Sequence, residues 1–193
     1  MLTDIVTGKE LRLDSIILVG PQDWVDDHMT VLKRNGTTWL QYDASAYRLT
    51  ERCFESFSHD RGDRLADLFI YLPQQYTGGG ILKRPIAGPG AIRYECRVID
   101  WRHTTSRSVR LPAPGSTVEE PRFYDTWKKD RRFPYWFQVD RITQVSREAS
   151  DFRLLCRKPV FLQDGNLEGI QKRSGSIIFA RQLREGSTTA TQP

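Results

Sequence analysis

Apolar and polar positions switch between two periods along this chain. "SIILVG" (Ser15–Gly20) is a continuous apolar run closed by Gly20-Pro21, the pattern of a buried strand. "PQDWVDDHMTVLKRNG" follows at helical period. Val25, Met29 and Leu32 fall on one stripe, Pro21 suits a helix start, Lys33 and Arg34 suit its end, and Asn35-Gly36 stops it. His28 reads as a surface residue of that helix. "TTWLQY" (Thr37–Tyr42) predicts a second strand from its β-branched and aromatic content. Thr50 opens a short helix, "TERCFESF", whose stripe is Leu49, Cys53, Phe54 and Phe57. "DLFIYLP" (Asp67–Pro73) is a third strand, nearly all apolar and therefore central.

Two long Gly/Pro-rich or basic connections follow, "PQQYTGGGILKRPIAGPG" and "HTTSRSVRLPAPGSTVEEPRFYDTWKKDRR". Between them "AIRYECRVIDWR" (Ala91–Arg102) alternates. Ile92, Tyr94, Cys96 and Val98 point one way, and Arg93, Glu95 and Arg97 the other. The fifth strand, "YWFQVDRITQV", sends Tyr135, Phe137 and Val139 to a core and leaves Trp136, Gln138 and Asp140 on a more exposed face. "DFRLLCRKPVFLQ" holds a sixth strand and "GSIIFARQL" (Gly175–Leu183) a seventh. The expected class is α+β: a small, mostly antiparallel β-barrel of five to seven strands with flanking short helices. Residues 1–14 read as an N-terminal extension, 15–183 as one domain, and 184–193, which lack bulky apolar groups, as a disordered tail.

Charge adds a partner class. The 193 residues carry a formal net charge of +5, which favours a polyanion. Cys53, Cys96 and Cys156 are far apart and form no CxxC, which argues against a zinc knuckle or a disulfide framework and fits a reducing cytoplasm. The N-terminal apolar patch is too short and interrupted for a signal peptide or a membrane span.

Catalytic patterns are not found. GxGxxG, Walker A and GxSxG are missing, and His28, His59 and His103 stand alone. "YECRV" places Glu95 two residues before Arg97, where a metal-dependent nuclease would carry Lys, and no partner Asp is evident at a strand start. The acid clusters read as caps and turns. No catalytic residue, metal site or cofactor is expected, and the chain is not expected to be an enzyme.

A chain of short matches resembles the PUA-like superfamily, within it the EVE and YTH-like branch. "IILVGPQDW" gives an apolar strand and a Trp in the turn after it. "RGDRLADLFIYLP" is similar to that family's GDxhhFY element, and "GPGAIRYECRVID" to its GxIxGxxxV element. "FPYWFQVDRI" and "NLEGIQKRSGSIIFARQL" resemble its Pro-aromatic strand and closing segment. The matches run roughly from residue 15 to 183; the inserts after Pro73 and Trp101 depart from the shortest members. The resemblance implies a PUA-like domain that binds DNA or RNA and receives a flipped or unpaired base, often modified, in an aromatic pocket. It also implies a possible partner nuclease or ATPase subunit.

The residues offer parts for such a pocket independently. Stacking contributes roughly 1–3 kcal/mol per base. The candidate base-binding residues are Trp24, Trp39 and Tyr71 for stacking, and Asp23, Gln41 and Asp43 for the polar edge. Phosphate contacts are expected from Lys83, Arg84, Arg102, His103, Arg107, Lys128, Lys129, Arg131 and Arg132, which lie in loops or at strand ends. Two alternatives stay open: a diverged nuclease acting on nucleic acid, and a protein-interaction domain that uses the aromatics as a dry interface.

Overall fold

The computed structural model describes residues 2–42, 52–57, 59, 67–73, 90–103, 135–157, 160–171 and 177–183. Among them are eight strands: β1 (Ser15–Val19), β2 (Thr38–Tyr42), β3 (Asp67–Leu72), β4 (Ala91–His103), β5 (Tyr135–Arg147), β6 (Phe152–Arg157), β7 (Val160–Asp164) and β8 (Ile178–Gln182). Helix α1 spans Gln22–Asn35, α2 covers residues 52–57, and α3 is Leu167–Gln171.

The strands form one sheet in the order β2-β5-β4-β3-β1-β8-β6-β7. Neighbours run antiparallel except β1 and β3, which are parallel. The α+β, mostly antiparallel expectation holds at that level. The barrel is corrected: β2 and β7 are the two ends of an open sheet, and no pairing joins them. The strand count also rises, because the segment read as a sixth strand is a pair, β6 and β7. The sequence between them is Lys158-Pro159, and proline lacks the N–H that a ladder needs.

Strand alternation gives the sheet two apolar faces. Ile16, Leu18, Leu68, Ile70, Leu72 and Phe179 belong to the larger core. Their neighbours Ile17, Val19, Phe69, Tyr71 and Ile178 belong to a second, smaller one. Helices α1 and α2 cover the first through Trp24, Val25, Cys53, Phe54 and Phe57. Phe152, Leu154 and Ile170 of α3 close the second. β1 and β3 are thus buried on both sides, which is why they read as unbroken apolar runs.

Helix α1 starts after Pro21 and stops at Gly36, which adopts φ 75° and donates its N–H to the Leu32 carbonyl at 2.8 Å. Its buried face differs from the expected stripe. Trp24, Val25, His28 and Val31 are buried, while Met29 is exposed. Trp24 sets this rotation, since its indole lies against Gly20: a Cβ there would sit 2.5 Å from the ring. His28 is corrected from surface to core. Its Nδ1 lies 3.1 Å from the Thr38 hydroxyl and its ring meets Trp24 edge-on at 4.9 Å.

β4 carries a second correction. Its pairing to β3 shifts between Tyr94, opposite Ile70, and Ile92, opposite Tyr71. Arg93 is therefore an extra residue, and Ile92 joins the smaller core while Tyr94, Cys96 and Val98 join the larger.

Candidate nucleic-acid interface

Alternation in β2 and β5 puts Trp39, Gln41, Trp136 and Gln138 on one face. The register confirms it: Trp39 is opposite Gln138, and Gln41 is opposite Trp136. β4 extends the row, with Arg102 opposite Trp136 and Asp100 opposite Gln138. The neighbours Leu40, Phe137 and Val139 point to the other side, where Phe54 of α2 packs 6.2 Å from Phe137 and 4.9 Å from Trp101.

Within this face the two indoles meet edge to face at 6.5 Å. The Arg102 guanidinium lies over the Trp39 ring, 5.9 Å from its centroid, and its Nε is 3.4 Å from the Asp100 carboxylate. Half of the Arg102 side chain remains exposed. The Gln138 amide donates to the Thr37 hydroxyl at 3.5 Å. Trp39, Gln41 and Arg102, three of the residues singled out from the sequence, are thus brought together, and Trp136 joins them; its expected exposure is corrected, since it is only 2% exposed.

The remaining candidates fall elsewhere. Trp24 is only 2% exposed and Trp39 4%, so the expectation that these two indoles flank an open slot is corrected. Trp24 packs on Gly20 and His28, and Trp39 on Trp136 and Arg102. Tyr71 is fully buried in the smaller core, its hydroxyl so close to Gly90 that a Cβ there would lie 2.0 Å away. A strand buried on both faces leaves its aromatic no route to a rim. Asp23 is half-buried in the first turn of α1, a favourable place for a carboxylate at a helix N-terminus. Asp43, Lys83, Arg84, Arg107, Lys128, Lys129, Arg131 and Arg132 lie outside the described residues, as does the His103 side chain.

Further along the same face of β4 and β5, a groove of about 510 Å³ opens over Asp67, Glu95, Arg97, Arg141 and Thr143. Asp67 stands opposite Arg97, Arg97 opposite Arg141, and Glu95 opposite Thr143. Two of the charges are held. Arg97 grips Asp140 with both Nε, at 2.7 Å, and a second guanidinium nitrogen. That double hydrogen bond keeps the Asp140 carboxyl below its usual range and raises the Arg97 pKa. Asp67 accepts from the Gln182 amide at 3.1 Å. Sequence reading found no Asp at a strand start to partner Glu95; Asp67 is the first residue of β3, on the neighbouring strand. Strand pairing, which brings it there, was the missing signal.

Among the described residues no group of three or more His, Cys, Asp or Glu side chains is placed to hold a metal ion. Cys53 and Cys96 are buried and Cys156 half-buried, and burial pushes the Cys96 thiol pKa up. No described helix is long and apolar enough to cross a membrane. No protein-family model, curated protein or solved structure matches the chain.

Proposed function

We propose that the chain is a nucleic-acid-binding module that takes an unpaired or everted base, including modified ones, onto the face of β2, β5 and β4 that carries Trp39 and Arg102. The observation that carries this reading is the Arg102 guanidinium resting on the Trp39 indole. The contact joins a half-exposed guanidinium to a ring only 4% exposed and is worth about 0.5–2 kcal/mol. A base stacked on the same ring is worth about 1–3 kcal/mol. The base therefore displaces the guanidinium, which swings out to the adjoining phosphate. Trp136 meets the Trp39 ring edge-on from the side, and Gln41 stands opposite Trp136 on the same face. The formal charge of +5 supplies the long-range attraction.

The test is binding of short single-stranded DNA and RNA, unmodified and carrying methylated or hydroxymethylated bases, across a salt series. Arg102→Ala should weaken binding and lower the slope of log K against log salt by about 1. Trp39→Leu should weaken it about 5- to 100-fold, the loss of one stack. An affinity that is absent, or present but indifferent to both substitutions, would remove the reading.

A further inference from the structure

We infer that the groove over β4 and β5 is a nucleotide subsite selective for a guanine, an inference that rests on the proposed nucleic-acid reading and deepens it. The groove sits on the face that carries Trp39 and Arg102, along β5 from Trp136 by about 20 Å at roughly 3.3 Å per residue. A single strand laid along β5 passes over both places.

Its chemistry follows from which charges are already engaged. Arg97 is held by Asp140, and Asp67 by Gln182. Glu95, Arg141 and Thr143 make no hydrogen bond or ion pair among the described residues, though all three line the groove. Glu95 stands directly opposite Thr143, and Arg141 is one pleat along the same face. Arg141 also faces Arg97 across the ladder, a like-charge pair that an anion between them would relieve. The groove thus offers one open carboxylate, one open guanidinium and one hydroxyl.

A carboxylate accepts two adjacent N–H donors side by side. Guanine presents that pair on its Watson–Crick edge, from N1–H and the 2-amino group. Adenine offers one donor beside an acceptor, which a carboxylate repels. A guanine seated on Glu95 leaves its phosphate toward Arg141, with Thr143 donating to a phosphate or sugar oxygen. A plain phosphate site would not place an uncompensated carboxylate within it.

Fluorescence anisotropy on the full chain decides the matter. The probes are two short thymine-rich single-stranded DNAs, one bearing a central guanine and the other an adenine. The guanine strand should bind about tenfold tighter, the discrimination of one bidentate contact. Glu95→Gln should erase that preference and leave the adenine strand's affinity unchanged, and Arg141→Gln should weaken both strands. Glu95 is exposed, so Glu95→Gln leaves the fold intact. Equal, salt-dependent binding of both strands by the unaltered chain would overturn the guanine site and leave the module reading standing. So would a guanine preference that survives Glu95→Gln. Failure of the unaltered chain to bind either strand at any salt concentration would overturn both.

Discussion

At the scale of single residues, His28 shows what a hydropathy stripe misses. The stripe through Val25, Met29 and Leu32 is offset by one position from the buried face, because histidine counts as polar and Trp24 was weighed as a pocket wall. Physically the indole has far more apolar area to bury than Met29, and a neutral imidazole is tolerated once Thr38 meets its Nδ1. Burial lowers the His28 pKa from 6.5 to about 3. The folded state thus resists a proton that the unfolded chain accepts. Stability from this group is fully present above pH 6.5 and is lost as pH falls from 6.5 toward 3. Between pH 7 and 5 the loss should be about 2 kcal/mol. Urea titrations at both pH values, on the native chain and on His28→Asn, should show that the variant lacks this component.

The elements were legible where one period ran uninterrupted. β1 and β3 stand as continuous apolar runs, and the α1 boundaries follow from Pro21 and Gly36. Legibility failed where a strand changes face partway. β4 looks perfectly alternating from Ile92 to Val98, yet the extra residue Arg93 turns Ile92 to the smaller core. Nothing local marks this bulge; it is set by Tyr71 and Ile70 across the ladder. Deletion of Arg93 would remove the bulge toward β3 and leave Ile92 and Tyr94 on their present faces, but it would widen the mismatch with β5, where Ile92 faces Arg147 and Tyr94 faces Gln144. We expect that variant to lose about 1–3 kcal/mol through backbone hydrogen bonds left unpaired between β4 and β5. A broadened thermal transition with a lower midpoint would show it, whereas an unchanged midpoint would mean that the bulge is not needed. The candidate site was legible in the same partial way. Trp39, Gln41 and Arg102 were named from residue type, but their union with Trp136 depends on β2 and β4 flanking β5, a pairing over long sequence distances.

For the molecule as a whole, the strand order carries the consequence. β8 lies between β1 and β6, and among the described strands β6 and β7 reach the rest of the ladder only through it. A chain ending at Ile177 should therefore show no cooperative unfolding transition by circular dichroism; native-like cooperativity in that fragment would mean β8 is dispensable. During synthesis the same arrangement imposes a wait. β1 leaves the ribosome more than a hundred residues ahead of its partner from Ile178 to Ala180. Through that interval a greasy strand travels with one side unzipped, exposed to chance pairing with neighbouring nascent chains. Holdase chaperones that shield such strands should raise the yield of this protein in translation extracts.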